Sequence, residues 1–422
     1  MPAHSVPSNR RLALLLGGLA MFGPFSIDTI FPAFPSIGAA LGADPFRMQQ
    51  TISVYLAAYA LMSIVHGPLS DALGRRPVIL GGLAVFAAAS AGCALSTGFG
   101  ELLAWRALQG LSAGVGIIVG RAVIRDVLHG DDAQRLMSQV SMIFGIAPAV
   151  APVVGGWLLG WQRWPAIFWF LVAFSLALLA ATWLALPETH PKPARLSPAP
   201  RALLRDYAAI FVNPRFQRLA AAASFNFGAL FLYIASAPAF VLQLLRLDGR
   251  HLRENEFAWF FLPMISGMML GALVSGRMAG RVPGARQIRI GFACCGVAMA
   301  ANLGYNALAP ALDVPWALAP IMLNAFGIAL VFPILTLAIL DMYPRQRGSA
   351  SSLQAFTGLV CNAVIAGALS PLLSGSGLHL AAGASVFAFL AWLVWHAEMR
   401  AGARLPAGDA ELAVALEPVD RL

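Results

Sequence analysis

The sequence predicts an all-α integral membrane protein, with twelve transmembrane helices in two pseudo-symmetric six-helix bundles. Three observations carry that expectation. Hydrophobic residues fill 59% of the 422 positions and charged residues only 11%, where a soluble domain averages roughly 25% charged. The apolar residues fall into twelve runs, each near the ~20 residues that a helix needs to cross a bilayer. The arginines crowd into the short polar breaks on one side of those runs, a bias that sets membrane orientation. The net charge of +9 is therefore a matter of topology and does not point to nucleic acid.

In chain order, the first six helices are expected at 12–35, 49–71, 78–96, 101–124, 136–160 and 165–186. Together with the short polar start they make an N-terminal bundle, 1–186. The stretch from Leu12 is too long for a signal-peptide core and reads as a retained helix. Residues 187–215 form a polar, Pro-rich link on the cytoplasmic side, with Lys192, Arg195, Arg201 and Arg205. Helices 7 to 12 are expected at 217–243, 257–280, 288–309, 316–340, 349–373 and 378–398, within a C-terminal bundle spanning 216–398. A polar cytoplasmic tail, 399–422, follows.

One side of these helices carries Arg10, Arg11, Arg75, Arg76, Arg125, Arg135, the basic link, Arg281, Arg286, Arg345, Arg347 and Arg400. The other carries Arg47, Arg163, Arg246, Arg250 and Arg253. The first side is expected to be cytoplasmic, with both termini on it. Gly280-Arg281 after helix 8 repeats Gly74-Arg75 after helix 2, so the halves form a weak internal repeat of the kind that builds secondary transporters. Cys93, Cys294, Cys295 and Cys361 lie within apolar runs and read as small packing residues with no disulfide.

The most informative stretch is Gly67–Leu80, G-P-L-S-D-A-L-G-R-R-P-V-I-L. Asp71 falls at the end of helix 2, where the macrodipole disfavours a carboxylate, so it needs a partner. Gly74 suits a left-handed helix C-cap and Pro77 the first turn of the next helix. Spacing alone also admits a basic turn that only fixes topology.

Asp28 is the one carboxylate well inside a span. Burying it charged costs at least ~2.5–3.5 kcal/mol, so it should face a cavity or a partner and can take up and release a proton. A purely structural ion pair is the other reading. Arg106 in helix 4 is the expected partner, because both lie in the outer half of the membrane at similar depth. Helix 5 aligns Gly145, Ala149, Pro152 and Gly156 on one small-residue face, with Pro148 and Gly155 adding bend and space. Helix 8 carries a comparable face in Pro263, Gly267, Gly271 and Ser275. Tyr55, Tyr59, Met142, Asn226, Tyr233, Asn324 and Gln354 are the candidate lining of a mostly aromatic and apolar cavity, suited to amphipathic compounds. No phosphate-binding loop and no zinc-helix motif occurs, so neither an enzyme, a metal site nor a cofactor is expected.

These motifs occur together in one family. Gly67–Leu80 resembles the signature between helices 2 and 3 of the major facilitator superfamily, and Arg106-Ala-Leu-Gln-Gly110 resembles its helix 4 motif. Pro148-Ala-Val-Ala-Pro152-Val-Val-Gly155-Gly156 is similar to the helix 5 motif of drug:proton antiporters, and Asp28-Thr-Ile-Phe-Pro32-Ala-Phe-Pro35 to the helix 1 motif of the twelve-span members. Arg121–Asp126 and Gly348–Leu353 narrow the resemblance to the bicyclomycin/chloramphenicol-resistance subfamily. The resemblance implies a monomeric transporter of the bacterial inner membrane that exports amphipathic drugs, amphenicol-like, bicyclomycin-like or multidrug, in exchange for protons by alternating access. The alternative is an exporter of one metabolite, an amino acid or sugar. It implies Asp28 as the proton-coupling acid and Arg106 as its modulator. Gly67, Asp71, Gly74, Arg75, Arg76 and Asp126 would form a cytoplasmic gate, Asp71 capping helix 11 near Gly348–Ser351 and Arg75 reaching Asp126. Helices 5 and 8 would slide on their small faces. Arg277 stands where the second half would carry the acid, so the gate is expected to be asymmetric.

Overall fold

The computed structural model describes residues 9–402, apart from 129, 162, 192–194, 196–199 and 345. The tail from 403, Lys192 in the link and Arg345 thus lie outside the described residues. Twelve helices are long and apolar enough to cross a membrane: α1 Arg11–Leu41, α2 Pro45–Leu73, α3 Arg75–Leu95, α4 Phe99–Val127, α5 Ile143–Trp161 and α6 Pro165–Ala185, then α7 Pro214–Ala235, α8 Ala258–Met278, α9 Gly284–Leu308, α10 Ala319–Met342, α11 Arg347–Leu373 and α12 Gly377–Ala401. Large apolar side chains such as Leu184 (81% exposed) and Leu308 (87% exposed) lie on the outer surface. Lipid rather than water suits a surface of that kind.

The chain forms two compact units. In the first, which runs through Pro200, α3 packs along α6 and α4, α2 along α4, and α1 along α5. Its α1 is not continuous. The α-helix ends at Asp28, a 3-10 turn covers Phe31–Ala33, and helix resumes at Phe34. Pro32 and Pro35 each lack a backbone donor, so the ladder cannot run unbroken through them. Thr29 donates its hydroxyl to the Phe25 carbonyl and completes the end of the first segment.

In the second unit α7 packs along α12 and α10, and α9 along α10 and α12. Two features here were not expected from the sequence. The link contains a helix, Pro200–Val212. Proline suits its first position, and Tyr207 and Ile210 are buried along one face. Beyond α7, three short strands form a sheet in the order β2-β1-β3: β1 Leu245–Leu247, β2 Arg250–His251 and β3 Leu312–Asp313. Asp248 and Gly249, both at positive φ (51° and 78°), make the two-residue turn of the β1–β2 hairpin. Asp-Gly is the sequence signal for that turn.

Two helix starts also differ from expectation. α3 begins at Arg75 instead of 78, so both arginines lie in its first turn and not in a loop. α2 begins at Pro45, four residues early, with Asp44 as N-cap accepting from the Arg47 amide.

Candidate functional site

Asp28 is the last residue of the first α1 segment and only 4% exposed. Among the described residues it forms no ion pair and no side-chain hydrogen bond. Arg106 is fully buried, at 0% exposure. The expected direct pair between them is not formed. Arg106 instead spends its donors on neutral acceptors: Nη1 donates to the Gln109 side-chain oxygen at 2.8 Å and to the Ser26 carbonyl at 3.2 Å, and Nε to the Thr51 carbonyl at 3.3 Å. Its guanidinium also lies over the Tyr55 ring, 4.5 Å from the centroid. Nη2 has no hydrogen-bond partner among the described residues. A ring face and three oxygen dipoles thus hold a buried cation without a counter-ion.

Two relays steady this arrangement. Gln109 donates to Ser90 Oγ at 2.7 Å, which fixes the oxygen that Arg106 uses. Ser26 Oγ lies 2.8 Å from the Tyr55 hydroxyl, which donates to the Gly23 carbonyl at 3.0 Å. Arg106 therefore touches the helix of Asp28 through a backbone carbonyl two residues earlier. Ser26, Ser90 and Thr51 were not singled out from the sequence. The three-residue spacing of Arg106 and Gln109 on one helix face was the available signal.

The helix 5 motif packs against the same segment. A side chain at Gly155 would collide with the Thr29 carbonyl oxygen, so only glycine lets α5 approach the bend after Asp28. Pro152 is buried and Pro148 half-buried, both within the helix. Gly145 has open space beside it. On α8, Gly267 and Gly271 lie against the backbone carbonyls of Met322 and Phe326 on α10. Gly267 and Gly271, part of the helix 8 face expected to slide on helix 5, therefore pack against α10 of their own unit, and Gly155 packs against α1 of its own.

The basic turn forms a second cluster. Gly74 closes α2 and opens α3 at φ 103°, positive as expected but outside the left-handed helical region. Arg75 bonds Asp71 four residues earlier, donates from Nε to Asp126 Oδ2 at 3.0 Å and from Nη1 to Ser70 Oγ at 2.7 Å. Ser70 in turn donates to the Gly67 carbonyl at 2.8 Å. Asp71 thus has the partner that its helix-end position demands. Arg76 donates to the Trp183 carbonyl at 2.6 Å and lies over the Trp183 ring.

Three of the seven expected cavity residues, Tyr55, Tyr233 and Gln354, have side-chain partners within their own unit. Tyr55 belongs to the Arg106 site. Tyr233 is 1% exposed and accepts from Asn302 at 2.8 Å, and Gln354 donates to Thr336 at 2.8 Å. Asn226 and Asn324 are each 1% exposed. Tyr59 is half-buried, and the side chain of Met142 lies outside those described. Tyr55 and Tyr233 look like cavity lining in a sequence, but here their hydroxyls bond within the packed helices. Among the described residues no group of three His, Cys, Asp or Glu could hold a metal, and the four cysteines are free.

Residues 14–366 match the family described as the Major Facilitator Superfamily. A bicyclomycin resistance protein homolog of Haemophilus influenzae is 28% identical over 280 residues, 66% of this chain and 69% of that one. The multidrug resistance protein MdtM of Salmonella typhimurium is 28% identical over 341 residues, 81% of this chain and 80% of that one. Among solved structures, a peptide transporter POT in complex with sulfate superposes with a TM-score of 0.76 at 15% identity, covering 99% of this chain and 97% of that one. The chain belongs to the Major Facilitator Superfamily: it is a multi-pass membrane transporter and not an enzyme.

Proposed function

We propose that the chain exports amphipathic drugs, amphenicol-like compounds among them, from the bacterial cytoplasm across the inner membrane in exchange for protons. It works as a monomer with both termini inside. Asp28 takes up a proton from the outer side, drug is discharged, and the proton leaves inward. The names of the relatives, bicyclomycin and multidrug resistance, support a drug as cargo. The observation that carries the coupling is the buried carboxyl of Asp28, which has no ion-pair partner among the described residues although a cation is built into the neighbouring helix. A buried acid free of a counter-ion can change charge, and a change of charge inside a bilayer is costly enough to drive a rearrangement. In this reading the Nη2 of Arg106 is the donor that meets Asp28 once it is ionised. The Arg75–Asp71–Asp126 cluster is the inner latch.

The test is uptake of labelled chloramphenicol into everted vesicles under an imposed pH gradient. Asp28→Asn should abolish uphill uptake while equilibrium binding of the drug persists. Uptake by the variant at the wild-type rate would remove Asp28 from the coupling step.

A further inference from the structure

We propose that Glu188, on the segment leaving α6, is a positioning residue that caps α3 from outside the helix and so fixes Arg75 against Asp126. The functional arm of this proposal rests on the antiport reading above. The first amide groups of a helix need acceptors, and the N-cap side chain normally supplies one. Here the N-cap is Gly74, which has no side chain. Glu188 fills the gap: the Arg75 backbone N–H donates to its Oε1 at 2.9 Å.

The surroundings are built around this contact. The His190 amide donates to the same Oε1 at 2.9 Å, which holds the carboxylate in place. A Cβ on Gly74 would collide with Glu188 Oε2 and fall 2.6 Å from Arg195 Nη2, so glycine is required for the cap as well as for its φ of 103°. Arg195 lies 3.7 Å from Glu188 Oε2 and offsets its charge. The next residue of the segment, Thr189, donates to Asp126 Oδ2 at 3.1 Å, the oxygen that Arg75 Nε also binds. Arg76, beside Arg75, is tied to the end of α6 at Trp183. Thus the end of α6 and the four residues after Leu186 grip both the backbone of Arg75 and its acidic partner. Glu188 does not touch Asp71, Asp126 or the Arg75 guanidinium in this arrangement, so its influence runs through the helix start.

Two measurements on the full-length protein test this. Hydrogen exchange of purified protein should show the α3 first-turn amides opening about fivefold more in Glu188→Ala, the effect of losing one cap. Glu188→Gln, which keeps an acceptor oxygen, should exchange like wild type, and Gly74→Ala like Glu188→Ala. In everted vesicles with labelled chloramphenicol as the probe, Glu188→Ala should lower Vmax about fivefold with KM within a factor of two, and Glu188→Gln should recover most of it. Size-exclusion profiles identify variants that have not folded, and Glu188→Gln then decides by itself. Unchanged α3 exchange in folded Glu188→Ala overturns the proposal. So does Glu188→Gln behaving like Glu188→Ala, which would assign the effect to charge, or a loss carried by KM. If wild-type vesicles move no chloramphenicol, the antiport reading fails and the exchange result alone decides the cap.

Discussion

Replacing Tyr55 by phenylalanine separates two roles that one side chain plays. The ring supports the Arg106 guanidinium at 4.5 Å, while the hydroxyl links Ser26 to the Gly23 carbonyl. Phenylalanine keeps the first and removes the second. Ser26 Oγ also reaches the Gly23 carbonyl directly at 2.9 Å, so neither group is orphaned. The loss is then that of an ordinary hydrogen bond, about 1 kcal/mol, which lowers Tm by about 2–4 °C in a unit of this size. Tyr55→Leu removes the ring as well. A desolvated cation–ring contact is worth about 2 kcal/mol, and a cavity in a buried site adds more, so at least ~3 kcal/mol is expected. Thermal unfolding in detergent and chloramphenicol uptake by everted vesicles give the two readouts. Tyr55→Phe should transport nearly as wild type, and Tyr55→Leu should fail at temperatures where it is still folded. If Tyr55→Phe loses transport as completely as Asp28→Asn, the hydroxyl is the essential group and support of Arg106 by the ring is refuted. If either variant changes the range of drugs moved and leaves the rate alone, Tyr55 lines the drug site after all.

Gly155→Ala should cost about 1–3 kcal/mol by overpacking against the Thr29 carbonyl. Gly145→Ala, with open space beside it, should gain about 0.5–1 kcal/mol from helix propensity; paired thermal-shift measurements decide, and equal effects would remove the packing argument. Glu398 is 8% exposed and binds Arg218 at 2.6 Å and Arg215, as an ion pair only, at 3.0 Å. The two arginines are about a third exposed, so Glu398→Ala should lower stability by about 1–2 kcal/mol and not by the 3–5 kcal/mol of a sealed pair. Transport below the melting temperature should persist; its loss there would give Glu398 a part in the cycle.

Period and composition made the twelve spans legible, because a bilayer leaves the backbone few alternatives to an uninterrupted helix. They were less informative where short-range chemistry decides. The helix Pro200–Val212 was hidden by the proline and charge content of the link, although Tyr207 and Ile210 give it a buried face. The Asp248-Gly249 hairpin carried its turn signal openly, but inside a stretch already assigned to span and loop. At the site, Asp28 stood out by the cost of burying it and Arg106 by its similar depth in helix 4. Gln109 was within reach of a local pattern, but the carbonyls of Ser26 and Thr51 that also occupy Arg106 come from two other helices. The contact from Glu188 to Arg75 spans 113 positions, and no local pattern announces it.

The separation of Asp28 from Arg106 has a physical logic that a direct pair would lack. A guanidinium bonded to a carboxylate in a low-dielectric site holds both charges in place, and the acid has little to gain from a proton. Holding Arg106 on carbonyls, an amide and a ring keeps the cation buried at a tolerable cost without committing the acid. The two residues still communicate, because Arg106 binds the Ser26 carbonyl in the last turn before Asp28. The other side of that turn is fixed by the Thr29 hydroxyl on Phe25 and by Gly155 of α5 against the Thr29 carbonyl. A change of charge on Asp28 therefore arises where α1 meets α4 on one flank and α5 on the other. The free Nη2 of Arg106 gives an ionised Asp28 something to pull on. In the antiport reading, that pull is how a proton lost from one carboxyl becomes a movement of three helices.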